Sequence, residues 1–278
     1  MPARPPIGPA PPPRGADLER ALPASVRPPA GHRLVTLDER PDLAAAMDTH
    51  NGAAWPEFML HDPVADRLWA HLPTTFAGYQ VGLLGPDGSI AAALNAAPLR
   101  WDGTVDGLPA GWDEQFERSV RDAAEGREPD TLGALQVVVA RERQGEGLAA
   151  LMVESMRALG RLRGSGRLIA CVRPTLKAAY PLVAIDRYAR WTRPDGLPFD
   201  PWIRLHVRLG GRIVRAAPAS MRIEGSVAEW QAWTGMAFPE SGESVVPGAA
   251  ATVSIDAQAD RGIYLDPNVW VVHDLARA

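Results

Sequence analysis

The chain has 278 residues, 46% of them hydrophobic, which is enough for one large or two small domains with a sizeable core. Its net charge of −4 argues against a nucleic-acid binder that uses a broad basic face. A single cysteine, Cys171, excludes an intrachain disulfide and fits a reducing cytoplasm, which is the expected location. No apolar run reaches the roughly 18 residues of a membrane span, and the N-terminus lacks the apolar region of a signal peptide.

Proline dominates the start of the chain. Residues 1–30 hold ten of the 27 prolines, a composition that predicts a disordered tail with some polyproline II character. A docking motif in this tail is the alternative. The rest, residues 31–278, is predicted to form a single domain, with a core over about 32–214 and a C-terminal extension over 215–278.

The first half of the folded part alternates helix and strand patterns. A short strand, two helices, a β-hairpin that turns at Asp87-Gly88 and an amphipathic helix or lid are predicted in that order. Their expected ranges are His32–Leu37, Pro41–Asn51, Pro63–His71, Tyr79–Leu84 with Ile90–Leu99, and Trp112–Ala124.

The second half centres on an apolar strand followed by a helix. Predicted here are a strand–helix–strand unit, an irregular inserted lid, a helix capped by Asp200, and several shorter elements. The unit covers Leu132–Ala140, Gly147–Arg163 and Arg167–Val172, the lid Thr175–Asp200, and the capped helix ends at Leu209. Further strands are expected at Arg212–Val214, Ser220–Ile223, Ala251–Ile255 and Val269–His273, with a helix at Val227–Trp233.

A glycine turn joins the apolar strand to its helix. Gly145 and Gly147 leave the backbone N–H groups at the helix start open to an anion, which favours a phosphate-bearing cofactor. The segment Gly145–Ala150 matches the dinucleotide pattern G-x-G-x-x-A, but four polar residues separate it from the strand. The next strand is followed by Arg173 rather than by an acid that would hold a ribose. An ordinary glycine turn with no ligand is a further alternative.

A second pattern fits the same residues and their surroundings. Gln144–Ala149 matches Q/R-x-x-G-x-G/A, and in this respect the chain resembles the GNAT superfamily of acyltransferases, whose loop of this form binds pyrophosphate. The order of hairpin, motif strand, helix and strand agrees with that family. Ile203–Gly211 resembles its helix ending L-Y-x-x-x-G-F, and the resemblance covers roughly His32 to Val214.

The resemblance implies an α+β fold, with a mixed, mostly antiparallel sheet flanked by helices and splayed between the motif strand and the next one. Acetyl-CoA or another acyl-CoA would enter the splay as co-substrate. Its pantetheine amides would pair with the backbone of Val137, Val138 and Val139. Its pyrophosphate would bind the loop residues Gln144, Gly145, Glu146, Gly147, Leu148 and Ala149. Arg141 and Arg143 either add positive charge toward the phosphates or are solvated surface residues.

Amine acylation also needs groups that move protons. An alkylamine has a pKa of about 10, so a base or a water relay must deprotonate it before it attacks the thioester. Backbone N–H groups near Val138 would stabilise the oxyanion. Asp130, just before the motif strand, is the preferred base, with capping as its alternative role. Glu57 and His61, in the connection between the first two helices, are rivals.

The departing thiolate also needs a proton donor. The family's tyrosine in the L-Y-x-x-x-G-F helix is replaced by His206, which either acts as the acid or packs in the core. Tyr180 and Tyr188 are alternative donors. Cys171 lies on an apolar strand and is interpreted as a core residue rather than a nucleophile. No metal site is predicted.

The sequence therefore predicts an N-acyltransferase that acts on the amine of a small molecule by direct attack on acyl-CoA. Two alternatives keep the fold and change the chemistry: an acyl-CoA decarboxylase and an O-acyltransferase. A third is a non-catalytic acyl-CoA-binding module, suggested by the missing tyrosine. No nucleic-acid or membrane partner is expected, and a homodimer is left open.

Overall fold

The computed structural model describes residues 12–276, in which the strands form one nine-stranded sheet. Its strands are β1 (Arg33–Thr36), β2 (Gln80–Leu84), β3 (Ile90–Leu99), β4 (Thr131–Val139), β5 (Arg167–Val172), β6 (Arg212–Gly225), β7 (Gly242–Ser244), β8 (Val253–Asp256) and β9 (Arg261–Asp274). The order is β1-β2-β3-β4-β5-β9-β8-β7, and β6 pairs with β9. The β4–β5 pair is parallel and the other paired strands are antiparallel. The predicted α+β fold with a mixed, mostly antiparallel sheet is confirmed.

Helices cover both faces of this sheet. They are α1 (Gly15–Ala21), α2 (Ala44–Gly52), α3 (Pro63–Leu68), α4 (Trp112–Ala124), α5 (Leu148–Leu162), α6 (Ile185–Tyr188), α7 (Pro201–Arg208) and α8 (Val227–Thr234). No helix among the described residues is long and apolar enough to cross a membrane.

Alternation along β5 separates the two faces. Ile169 and Cys171 pack in one core cluster with residues of α4 and α8, on what we call the α4 face. Leu168 packs with α5, and Ala170 packs with α6 and α7, on the opposite face, called the α5 face. The two faces thus bury separate apolar clusters, and side chains of β4 and β5 pack into the clusters on both faces.

The proline-rich start differs from its prediction. Residues 1–11 lie outside the described part, but residues 12–30 are not a disordered tail, because α1 packs on β1 and α5. Leu18 is fully buried among their side chains, and the N–H of Gly15 donates to Glu39 Oε2 at 2.6 Å. Between the proline clusters lies GADLERA, a short segment with helical propensity and a buried leucine, which composition alone conceals.

The C-terminal region is not an appendage to a core ending at residue 214. β9 lies between β5 and β6 and pairs with both, so the last strand of the chain completes the centre of the sheet. Two predicted strands are one, β6, which runs through Pro218. A proline is tolerated there because β6 pairs on one side only and its register shifts between Ala217 and Met221.

The segment interpreted as an inserted lid contributes to the core. Ile185 and Tyr188 of α6 are buried against Ala170 and Val172 of β5. The Tyr188 hydroxyl donates to Asp200 Oδ2 at 2.9 Å, and Asp200 also caps α7 as predicted. These contacts fix the segment beside the carboxyl end of β5.

Candidate active site

An opening in the sheet separates the carboxyl ends of β4 and β5. The two strands pair from Thr131 with Arg167 to Ala134 with Ala170, and the pairing then stops. β4 continues for five more residues, to Val139, while keeping its pairing with β3. The sheet is therefore wedge-shaped here, with one edge of β4 unpaired, as the resemblance implies.

A β-bulge lies at the apex of this wedge. Asn95 of β3 pairs with Gln136 and Ala96 pairs with Ala134, so Leu135 is the extra residue. Two side chains of α4 bind the carbonyl groups at this point. Gln115 Nε2 donates to Ala134 O at 2.9 Å and Trp112 Nε1 donates to Leu135 O at 2.8 Å. Helix α4 thereby stabilises the bulge and holds the wedge open.

The backbone of β4 beyond the bulge offers hydrogen-bonding groups to the wedge. The Ala140 N–H bonds to Ala91 O of β3 at 3.0 Å. Because the direction of these groups alternates along an antiparallel strand, the N–H and C=O of Val137 and Val139 point away from β3, into the wedge. The same alternation turns the N–H of Val138 toward β3. Val137 and Val139 therefore provide the backbone groups that could pair with a ligand here.

The glycine loop lies at the open end of the wedge, between β4 and α5. Gly145 and Gly147 have φ values of 88° and 80°, and a Cβ built at either position meets nothing within 4 Å. Within residues 12–276, the N–H groups of Gly145, Gly147, Leu148 and Ala149 have no protein acceptor. The loop is an open cradle of donors at the positive end of a 15-residue helix, which suits a phosphate group.

The charged residues of this loop differ in their availability. Arg143 forms an ion pair with Glu146, at 2.7 Å between Nη2 and Oε2, and its Nη1 contacts His32 Nε2 at 3.0 Å. The two charges therefore neutralise each other, so Glu146 does not confront an anion in the loop as an unpaired carboxylate. Arg141 is exposed and has no ion pair among the described residues, so it remains free for a phosphate.

Two residues that the sequence interpretation did not place beside β4 lie over it on the α4 face. His50, near the end of α2, has Nε2 3.4 Å from Val138 O. Trp55 donates from Nε1 to Gln136 Oε1 at 3.2 Å. These contacts join residues 88 and 81 positions apart in sequence, so no local pattern could reveal them.

An arginine occupies the β5 side of the wedge on the same face. Arg173 follows the last residue of β5, and its guanidinium carbon is 5.7 Å from the ring centroid of Trp55. Its Nε donates to Asp266 Oδ1 at 2.9 Å, and the Tyr264 hydroxyl donates to the same oxygen. The carboxylate of Asp266, which is fully buried, raises the pKa of Arg173 even though burial opposes it. Arg173 is thus a fixed cation.

Cys171 also faces this side, but as a thiol. Its Sγ lies 3.1 Å from Ser220 Oγ, and burial raises its pKa to about 12. A thiol with that pKa is protonated at neutral pH and is a poor nucleophile. Its interpretation as a core residue agrees with this environment.

Asp130 lies at the opposite end of β4 from the wedge. Its Oδ1 accepts hydrogen bonds from the Trp101 N–H at 3.0 Å and from Thr131 Oγ1 at 2.7 Å. Four paired residues of β4 separate it from the bulge. The geometry therefore gives Asp130 the capping role that the sequence left as its alternative.

His206 is buried on the α5 face, away from the wedge. Its Nδ1 lies 2.9 Å from His273 Nε2, and His273 pairs with Leu168 in the closed part of the sheet. Burial, together with the neighbouring His273, lowers the pKa of His206 to about 3. A neutral, enclosed imidazole packs in the core, and it is a poor proton donor to a thiolate.

The remaining candidates lie outside β4 and β5, in the segments after β5 and after α2. Tyr180 is 36% exposed and packs against Tyr188, Trp191 and Phe199 after the end of β5. Tyr188 is buried and committed to Asp200. Glu57 and His61 bind each other at 3.1 Å, just beyond Trp55 along the chain. Of the two tyrosines, Tyr180 is the one with an available hydroxyl.

Comparison with known proteins places this geometry in context. No family model matches the chain. An arginine N-acetyltransferase (avaD) from Aspergillus versicolor is 32% identical to this chain. The alignment is 278 positions long and covers 89% of this chain and 95% of that protein. The crystal structure of the loading GNATL domain of CurA from Lyngbya majuscula has a TM-score of 0.56 and 16% identity. It covers 89% of this chain and 99% of that domain, which supports the fold.

Proposed function

Because this chain belongs to the GNAT superfamily of N-acetyltransferases, we propose that it transfers an acyl group from acyl-CoA to the amine of a small molecule. The observation that carries this proposal is the wedge between β4 and β5. It lies next to a glycine loop in which four N–H groups have no acceptor in the described part of the chain. The loop suits a diphosphate, and the wedge suits a thioester carried on a long flexible arm.

The residues present fit this co-substrate. The cradle at Gly145 and Gly147 is free of protein atoms where side chains would otherwise lie. In the proposed complex, the N–H groups of Gly145, Gly147, Leu148 and Ala149 bind the diphosphate, and Arg141 adds positive charge. Val137 and Val139 bind the pantetheine amides through their backbone groups. Acyl-CoA supplies the activated acyl group and a thiolate leaving group.

Acyl transfer proceeds directly to the acceptor amine in this proposal. The one cysteine, Cys171, is buried as a thiol and is unsuited to an acyl-enzyme intermediate. Backbone N–H groups that face the wedge stabilise the negative charge on the thioester oxygen as the amine attacks. The protein's main contributions are the alignment of the two substrates and this electrostatic stabilisation.

His50 is the proposed base, replacing Asp130. Its Nε2–H donates to Val138 O across 3.4 Å, which leaves Nδ1 of the neutral ring as a proton acceptor. The ring lies over the open part of β4, on the face where Trp55 and Gln136 meet. Tyr180 is the proposed proton donor to the thiolate, since it follows β5 along the chain and is partly exposed.

The acceptor is proposed to be a small-molecule amine. The relative from Aspergillus versicolor is named for arginine, which makes arginine the first acceptor to test. Other proposed properties, namely a cytoplasmic location and a homodimeric assembly, rest on the sequence alone.

A transfer assay tests the function. The purified protein is incubated with acetyl-CoA and a pool of amines that includes arginine. Thiol release is followed together with the mass of the products. We expect one acylated amine for each thiol released. Thiol without acylated amine would indicate hydrolysis, acylated alcohols would indicate O-acyl transfer, and CO₂ from malonyl-CoA would indicate decarboxylation. Acetyl-CoA binding without turnover would indicate a binding module.

A further inference from the structure

Trp55 spans the wedge on the α4 face. Its indole N–H is bound to Gln136 on β4, and its ring lies beneath the Arg173 guanidinium at the end of β5. Trp55 thus contacts one polar side chain on each side of the wedge, Gln136 of β4 and Arg173 just after β5. A molecule approaching the wedge from this face meets an aromatic surface flanked by an amide and a guanidinium.

The Gln136 amide has an unused donor. Its Oε1 accepts from Trp55, which fixes the orientation of the amide, and this leaves Nε2 directed elsewhere. Nε2 is buried and has no hydrogen-bond partner among residues 12–276. A buried amide N–H₂ without an acceptor is destabilising, so a ligand that supplies an oxygen to it would gain binding energy.

The Arg173 guanidinium carries more N–H groups than its bonds to Asp266 and Gly248 use. Of its five N–H groups, Nε–H bonds Asp266 and one on Nη2 bonds the Gly248 carbonyl at 2.9 Å. Those two contacts and the Trp55 ring hold the guanidinium in place, and its side chain is still 19% exposed. The guanidinium also interacts with the Tyr264 hydroxyl, and a fixed, partly exposed guanidinium with five N–H donors suits a carboxylate.

We propose that the acceptor carries a carboxylate, which the Gln136 amide and the Arg173 guanidinium bind on either side of Trp55. This inference rests on the proposed function and narrows its acceptor to amino acids and similar carboxylated amines. Bound in this way, the carboxylate anchors the acceptor on the α4 face, where the amine reaches both the thioester in the wedge and His50. Gln136 and Arg173 are thus specificity-determining residues.

Matched acceptor pairs test this proposal. With acetyl-CoA held saturating, kcat and KM are measured for arginine and for agmatine, which differ in the carboxylate alone, and likewise for lysine and cadaverine. We expect kcat/KM for the carboxylated member of an active pair to be at least about tenfold higher, which corresponds to about 1.4 kcal/mol. Equal kcat/KM within each active pair would overturn the carboxylate site and leave the proposed function intact. Failure to acylate any amine would overturn both.

A negative charge introduced at Gln136 provides the decisive variant. Q136E keeps the shape and the acceptor for Trp55 Nε1, but it places a negative charge where the carboxylate would bind. We expect KM for the carboxylated acceptor to rise at least tenfold, with agmatine affected little or improved. An equal fall of kcat for both acceptors would contradict the proposal, because it would show that Gln136 acts on the thioester. As a matched control, Gln231→Glu on the exposed side of α8 leaves both acceptors unchanged.

Discussion

At the residue scale, His50 is the side chain on which the proposed proton transfer depends. Its contact with Val138 O positions the ring over the unpaired part of β4. His50→Ala should lower kcat by about 100-fold or more, the usual contribution of a general base, while KM for acetyl-CoA changes little. Steady-state kinetics across pH 6–9 measure this.

A second histidine provides the control. His71 Nδ1 lies 3.1 Å from Thr75 Oγ1, and among residues 12–276 no hydrogen bond joins its ring to β4. His71→Ala should therefore retain wild-type kcat. Similar kcat values for the His50 and His71 variants would remove His50 from the mechanism and leave deprotonation of the amine to water.

Two buried carboxyl groups, those of Asp62 and Asp113, form another residue-scale feature. Asp62 Oδ1 caps α3 through the N–H groups of Val64 and Ala65, and Asp113 Oδ2 accepts from the Arg222 N–H at 3.0 Å. Their other oxygens are buried and find no other donor in the described structure. Burial, together with the adjacent Asp62, raises the pKa of Asp113 to about 8. The two groups therefore share a proton at neutral pH.

This pair predicts a pH dependence of stability. Between the ordinary aspartate pKa of 3.8 and about 8, the folded protein holds a proton that the unfolded chain has lost. The free energy of unfolding must therefore fall as pH rises through that window. Asp113→Asn keeps a donor toward Asp62 and removes this effect, so the variant should gain at least about 1.4 kcal/mol relative to wild type at pH 8.5 compared with pH 5.

Urea unfolding at the two pH values checks this prediction. Asp106→Asn, at an exposed position, serves as the control and should show the wild-type pH dependence. If the Asp113 and Asp106 variants lose stability in parallel with wild type as pH rises, then the carboxyl pair holds no proton.

At the element scale, the glycine loop and α5 act as one anion-binding unit. A Cβ at Gly147 meets no protein atom, so a substitution there affects the fold only through its positive φ of 80°. Gly147→Ala should cost roughly 1–2 kcal/mol of stability for that conformation. It should also weaken acetyl-CoA binding at least tenfold, because the methyl group enters the space meant for the diphosphate.

The chain offers a closely matched control for this substitution. Gly235 ends α8 with a φ of 68°, and its Cβ position is likewise open. Gly235→Ala should lose similar stability and bind acetyl-CoA normally, as measured by calorimetry on the folded protein. Equal affinities for the two variants would show that the loop does not bind the coenzyme.

The elements also show what sequence patterns can predict. Strong local signals were reliable: α4 and β5 match their predicted ranges, and Asp200 caps α7 as expected. The helix α1 was missed because prolines on both sides outweighed its short helical pattern. β6 was divided in two because Pro218 resembles a strand end, and its position at a sheet edge is a tertiary property.

At the scale of the whole molecule, the site is made by contacts between distant parts of the chain. The glycine loop could be predicted because its residues are consecutive. The bulge at Leu135, held by α4, could not, and neither could the approach of His50 and Trp55 to β4. A motif position points to His206 and closeness to the motif strand points to Asp130, but tertiary packing places them in the core and at the closed end of the sheet.

The central claim is that the wedge between β4 and β5 and the adjacent glycine loop together bind acyl-CoA. A crystal structure with acetyl-CoA tests it most directly. We expect the diphosphate on the N–H groups of the loop from Gly145 to Ala149, and the thioester within the wedge beside Val137. A coenzyme bound elsewhere on the protein, with the wedge empty, would contradict the claim.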